Sequence, residues 1–229
     1  KKDNLSDEIF NSPSEAVKNS DLVVIATPLS SFESVLNSIK DNLKTGSILT
    51  DTCSVKTGVN KIFRKMNLKN SICIPGHPVA GTEKSGPKAG INDLFDNRWT
   101  ILTPNKNIDV EAVKKVSSFW ESMGSKVKIM SDEDHDKILS FTSHLPHAIA
   151  YNIVQTSMAN DEETKEDIIR YSAGGLRDFT RIAASDPIMW RDIFIDNSGL
   201  IIKAIDKFIK NLDEFKKAIS QKDSKKLLE

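Results

Sequence analysis

Read from its amino terminus, the chain first places apolar residues in short continuous runs and only later at helical spacing. Asp21-Leu-Val-Val-Ile-Ala-Thr-Pro28 is apolar on both faces and closed by a proline, the pattern of a strand covered on both sides. Ser30 and Ser31 can cap a helix that follows, with Phe32, Val35, Leu36 and Ile39 on one face, and Gly46 ends the unit. Ser47–Asp51 predicts the next strand, and Val59, Ile62, Phe63 and Met66 mark a second helix. Further strands are expected at Ser71–Pro75, Trp99–Pro104 and Lys126–Met130, with an amphipathic helix over Val110–Met123 before the last of them. Strands alternating with helices of this length predict an α/β fold, a parallel doubly wound sheet.

The period changes after Ser131. Ser131-Asp-Glu-Asp offers an N-cap and a first turn of acids, which the helix dipole favours there. Helical spacing runs on through Ile138, Leu139, Thr142, Leu145, Ile149 and Ile153, with Pro146 inside it and a kink expected as the Thr142 carbonyl loses its donor. A break falls at Asn160–Glu163, and helices and turns are expected from Ile168 to Leu212, with a charged tail from Lys216. No strand pattern follows Met130. The division is therefore 1–130, an α/β domain, and 131–229, an all-helical domain, without repeats or a low-complexity linker.

Composition narrows the partners. The chain has 229 residues, with Lys+Arg and Asp+Glu both 32, so no net charge draws it to nucleic acid or anionic lipid. No apolar run approaches the roughly 18 residues of a membrane span, and no signal peptide opens the chain. Cys53 and Cys73 cannot form a disulfide framework and have no metal-ligand spacing around them. These features predict a soluble, cytoplasmic protein with neither nucleic-acid nor membrane partners.

Few residues can carry chemistry. His77, in Pro75-Gly-His-Pro-Val-Ala-Gly-Thr-Glu-Lys-Ser-Gly86, follows a predicted strand, where doubly wound sheets bind ligands. A histidine between Gly and Pro suits catalysis, with a structural loop histidine as the alternative. Ser54, in Asp51-Thr-Cys-Ser-Val-Lys56, could orient an imidazole or a ligand, or simply cap a helix. His144 and His147 share one helical face, a spacing that also suits a metal, but the nearby acids around His135 are better explained by helix capping, and no metal is expected. In the stretch from Arg177 to Arg191, an arginine fork could bind a carboxylate. Gly174-Gly175 permits a tight turn, and Asp178 a helix cap.

Four segments, in this order, carry a resemblance: Asp51–Lys56, Gly76–Gly86, Ser143-His-Leu-Pro-His147, and Gly174–Ala183 running on to Ser185–Trp190. Through them the chain resembles the prephenate dehydrogenases and their arogenate-using relatives. The resemblance implies a Rossmann-type domain followed by a helical dimerisation domain, NAD or NADP as cofactor, and a homodimer. It implies oxidative decarboxylation of prephenate to 4-hydroxyphenylpyruvate in tyrosine biosynthesis, or arogenate as the alternative substrate. On this reading His77 accepts the proton of the ring hydroxyl and Ser54 holds the geometry beside it. Arg181 binds a substrate carboxylate, while Thr82, Ser143 and His147 line the pocket, with Trp190 packed near it and Glu83 as a polar wall or gate. Gly174 approaches from the partner subunit, and Ala26, Thr27 and Pro28, with Ser54, lie beside the dinucleotide.

One part of the family pattern is missing. None of the ten glycines forms Gly-x-Gly-x-x-Gly, and no acidic residue after a second strand is identifiable. The chain therefore reads as an N-terminally truncated, partial Rossmann domain joined to the helical one, with a weak dinucleotide site. A dimeric ligand-binding module without catalysis is the corresponding alternative. A β-hydroxyacid-type dehydrogenase is a weaker rival, since its lysine-centred helical motif is absent.

Overall fold

The computed structural model describes residues 6–81 and 90–228. The chain forms two compact units: Lys1–Asp136 with Asp186–Asp196, and Lys137–Ser185 with Asn197–Glu229.

In the first unit, β1 (Leu22–Ile25), β2 (Ser47–Asp51) and β3 (Ser71–Cys73) form a parallel sheet in the order β1-β2-β3. All five residues of β2 are buried, as expected of a strand covered on both faces. A short α1 (Pro13–Ala16) precedes β1, and α2 (Leu29–Ile39) and α3 (Thr57–Met66) connect the three strands. Phe32, Leu36 and Ile39 of α2 and Val59 and Phe63 of α3 cover one face, where the Phe32 and Phe63 rings meet edge to face at 5.3 Å. The other face is covered by α4 (Val110–Ser122) through Ala112, Val113, Val116 and Trp120. Asp109 caps α4 by accepting the Glu111 N–H. Each fully buried side chain of this kind contributes about 1.5–3 kcal/mol, so the apolar runs that predicted these elements also hold them together.

A second sheet, of β4 (Gly76–Pro78), β5 (Trp99–Leu102) and β6 (Lys126–Ile129), departs from the expected all-parallel arrangement. Its β5–β6 pair is parallel, but β4 runs antiparallel to β5, with His77 opposite Ile101. The segment expected as a loop around His77 is thus partly strand. Its three residues are too few for a periodic signal, and Gly and Pro hide it.

The two serines expected to cap α2 do otherwise. Pro28 occupies the N-cap of α2, and the Ser31 hydroxyl donates back to the Pro28 carbonyl. Asp192 of α9 (Pro187–Asp196) takes a hydrogen bond from Ser30, which with Arg191 holds its carboxyl below the usual range despite burial. Helix α9 lies beyond Ser131 in sequence yet packs within the first unit.

The second unit is helical, and among the described residues no strand follows β6. Ser131 caps α5 (Asp132–Leu139) by accepting the Asp134 N–H at 3.0 Å. Next come a π-helical turn, Ser140–His144, and α6 (Leu145–Met158). Where a kink was expected at Pro146 the structure has this π-helical turn: the Leu145 N–H reaches back to the Ser140 carbonyl, and the proline falls in the first turn of α6, where it needs no donor. Asp161 caps α7 (Glu162–Arg170). Gly174 and Gly175 open α8 (Gly174–Ala183) rather than forming a turn, and Asp178 lies inside that helix rather than capping it. The long α10 (Ser198–Ser220) closes the chain.

Candidate functional site

The carboxyl ends of β2 and β3 build the site. Asp51 ends β2 fully buried, and its Oδ2 accepts the Cys53 N–H at 2.9 Å. Lys56, also fully buried, pairs with Asp51 Oδ2 and donates to the Gly76 carbonyl at 2.7 Å, while Gly76 N–H donates to Asp51 Oδ1 at 3.1 Å. A buried ion pair repays its desolvation only when its remaining bonds are made, and here they are. The pair welds the end of β2 to the start of β4. Only glycine fits at 76 without displacing its surroundings, since a Cβ would stand 3.0 Å from the Asp51 carbonyl oxygen. His77 is the next residue, so its backbone is fixed by the weld.

The His77 side chain is fixed as well. Its Nδ1 lies 2.8 Å from Nε2 of His135, whose Nδ1 lies 2.8 Å from Asp136 Oδ1. Asp136 in turn accepts the backbone N–H of Lys56 at Oδ1 and of Thr57 at Oδ2, each at 2.8 Å. These are the donors that the start of α3 leaves over, so Asp136 performs the capping considered for Ser54. Burial disfavours the His135 imidazolium strongly enough to lower its pKa despite the Asp136 carboxylate. Burial would raise the Asp136 carboxyl, but hydrogen bonds from His135, Thr57 and Lys56 outweigh it and hold it below the usual range. Asp196 of α9 leans on the same corner, where a Cβ at Gly58 would come within 2.3 Å of its Oδ2. Burial, and then Asp136, push the Asp196 carboxyl up.

Sequence reasoning placed His135 among possible metal ligands and overlooked this row. Asp132, His135, Asp136, Leu139 and Ser140 are all buried, at helical spacing on one face of α5 and the turn that follows, but all except Leu139 are polar, so no apolar stripe announces the face. Exposed Glu133 and Asp134 between them disguise it as a solvated acidic stretch.

The other expected site residues are distributed as follows. Ser54 is half-buried in the turn after β2. Ala26 and Pro28 are exposed at the end of β1, and between them Thr27 Oγ1 is buried without a hydrogen-bond partner among the described residues. An orphaned hydroxyl at the carboxyl end of a parallel strand is an opening for a polar ligand, so this end of the sheet fits a dinucleotide. Trp190 belongs to the first unit and is buried beside Phe194, with ring centroids 5.5 Å apart. Ser143, His147, Gly174 and Arg181 belong to the second unit. The Ser143 carbonyl receives the His147 Nδ1 at 2.9 Å, and burial lowers the His147 pKa. Arg181 is exposed and lies 4.0 Å from Asp178, an i,i+3 pair worth little in solvent. Nothing lies within 4 Å of a Cβ placed at Gly174. His144 is buried, with Asn197 3.1 Å from its Nδ1. No cluster of three or more metal-ligating side chains occurs among the described residues. Thr82 and Glu83 lie outside the described residues.

The two parts of the chain match two family models. Residues 1–129 match "Prephenate dehydrogenase, nucleotide-binding domain", and residues 131–229 match "Prephenate dehydrogenase, dimerization domain". A cyclohexadienyl dehydrogenase of Zymomonas mobilis is 39% identical over 226 residues, 99% of this chain and 77% of its own length. A prephenate dehydrogenase of Bacillus subtilis is 33% identical over 212 residues, 92% of this chain. The chain spans 57% of that protein's length. Among solved structures, the prephenate dehydrogenase of A. aeolicus in complex with hydroxyphenyl propionate and NAD+ superimposes with a TM-score of 0.88 at 37% identity, covering 97% of this chain and 77% of that one. An arogenate dehydrogenase of Synechocystis does so with a TM-score of 0.79 at 25% identity, covering 96% of this chain and 78% of that one.

Proposed function

The chain belongs to the prephenate dehydrogenase family, and on that premise we propose that it catalyses the NAD(P)-dependent oxidative decarboxylation of prephenate to 4-hydroxyphenylpyruvate. The observation that carries the reading is the His77 imidazole, set in the short strand β4 by the Lys56–Asp51 weld and by His135. Prephenate gives up a hydride from the carbon bearing its ring hydroxyl, the hydroxyl gives up its proton, and carbon dioxide leaves as the ring becomes aromatic. When bound, the nicotinamide supplies the hydride acceptor. His77 accepts the hydroxyl proton at Nε2, its Nδ1 being engaged by His135. Ser54 is assigned the substrate hydroxyl, and Ala26, Thr27 and Pro28 the dinucleotide. Arg181 clamps a carboxylate as a bidentate fork, and Ser143 and His147 complete the substrate wall. Gly174 is assigned to the site of the partner subunit.

The homodimer forms through the helical part, and an apolar face supports this. A groove of about 530 Å³ runs between α6 and α10, lined by Leu145, Ile149, Ile153, Ile205 and Phe208 among others. Ile209 and Leu212 also line it, and with Ile202, Phe215 and Ile219 of α10 they are exposed. An apolar face of this extent is a protein-interaction surface.

The test is reduction of NAD and of NADP by the purified chain with prephenate and, separately, with arogenate, and identification of the product. Arogenate is included because one relative is named a cyclohexadienyl dehydrogenase and one solved neighbour an arogenate dehydrogenase. Formation of 4-hydroxyphenylpyruvate supports the reading. A folded dimer that binds 4-hydroxyphenylpyruvate but reduces neither nucleotide with either substrate contradicts it.

A further inference from the structure

We propose that His135 and Asp136 are positioning residues that select the proton-accepting tautomer of His77. The inference deepens the reading of His77 as the base and rests on it for its catalytic meaning. Both Asp136 oxygens accept backbone N–H bonds from the first residues of α3, which fixes the carboxylate in place and in its ionised form. His135 Nδ1, 2.8 Å from Asp136 Oδ1, must therefore be the donor. A neutral imidazole has one N–H, so His135 Nε2 is left as an acceptor. His77 Nδ1 stands 2.8 Å from that acceptor and must carry the hydrogen. The His77 lone pair is then at Nε2, where a base needs it. Reversing every hydrogen in the row would require Asp136 to be a neutral carboxylic acid, against the pull of two backbone donors. Protonating His135 would also reverse the His77 end, because an imidazolium donates from both nitrogens. The charged groups around His135 are Asp136 beside it and Lys56 and Asp51 across from it, with Asp196 close to Asp136. Burial among them favours the neutral ring, so the row points one way near neutral pH. Such a row does what the third member of a hydrolase triad does, holding an imidazole in one tautomer without itself exchanging a proton.

The tautomer can be read without turnover. Long-range nitrogen–proton correlation spectra of the ¹⁵N-histidine-labelled dimer distinguish the two ring nitrogens, and His77→Gln assigns the relevant signals among the four histidines. The expected result is His77 protonated at Nδ1 and unprotonated at Nε2. His77 carrying its proton on Nε2 at neutral pH overturns the proposal. His135→Phe keeps a ring in the same space but offers His77 Nδ1 no acceptor, while Asp136 keeps its bonds to the Lys56 and Thr57 N–H groups. In that variant the His77 proton is expected to shift from Nδ1 toward Nε2, the tautomer an isolated imidazole favours, and kcat to fall. A folded His135→Phe chain with an unchanged His77 spectrum also overturns the proposal. If the variant does not fold, the wild-type spectrum decides. A correct tautomer in a chain that turns over neither substrate leaves the row standing and removes only the catalytic reading.

Discussion

The surroundings of His77 and of Arg181 solve opposite problems. Around His77 almost every polar group is buried and bonded to another: Asp51 to Lys56, Lys56 to Gly76, His77 to His135, His135 to Asp136, and Asp136 to the start of α3. Arg181 stands in solvent on α8, with a carboxylate 4.0 Å away as its ion partner among the described residues. The difference fits the proposed division of labour. A base must keep one geometry and one protonation state, and a closed polar network supplies both before substrate arrives. A carboxylate clamp needs only charge and reach, and its order can come from the ligand. The price of the first arrangement is sensitivity: removing one member strands another in a dry interior.

The sharpest break in the comparison is His77→Gln, which should lower kcat about 10²–10⁴-fold and also lower the melting temperature, because His135 Nε2 loses its imidazole partner. Steady-state kinetics on the folded variant check this, and a loss below about tenfold contradicts the role. Next comes Lys56→Met. It leaves Asp51 as an uncompensated buried charge and should destabilise the first unit by about 3–5 kcal/mol in urea unfolding. A variant as stable as wild type would mean that the weld is not under load.

Arg181→Ala addresses the open region. It should raise KM for prephenate about tenfold or more, the worth of a charge-assisted bond, without a measurable loss of stability, because its partner is solvated. A drop in melting temperature comparable with that of Lys56→Met would erase the contrast. The smallest effect is a pH dependence. The folded pKa of His135 is depressed by burial, so its neutral form contributes stability that is complete above the unfolded value of about 6.5 and lost as pH falls from there through the folded value. Melting curves from neutral to mildly acidic pH should show this decline, reduced in His135→Gln.

The legibility of the sequence follows the same contrast. Burial of apolar residues leaves a periodic trace, so β2, α2 and α4 were readable from spacing. The stripe from Ile138 to Ile153 marked α5 and α6 as helical, although only Leu139 of it is buried, and the π-helical turn before Pro146 was not foreseen. Burial of polar residues leaves hardly any. His77 was noticed because its glycine and proline neighbours make an odd setting, but its strand was too short to announce itself. His135 and Asp136 cap and orient groups 58 and 80 positions away in sequence, a long-range pairing that local spacing does not report. The caps of α2 and α3 failed for the same reason, whereas the local cap at Ser131 held: the start of α3 is satisfied by Asp136 and Ser30 is held by Asp192, both far along the chain.

The most direct test of the account is the pH profile of kcat/KM for prephenate in the wild-type protein, between about pH 5 and about pH 8. The account predicts a rise on a single ionisation in the histidine range to a plateau, and loss of that limb in His77→Gln. A profile that is flat across the range, or a limb that survives the substitution, would contradict His77 as the group that takes the proton.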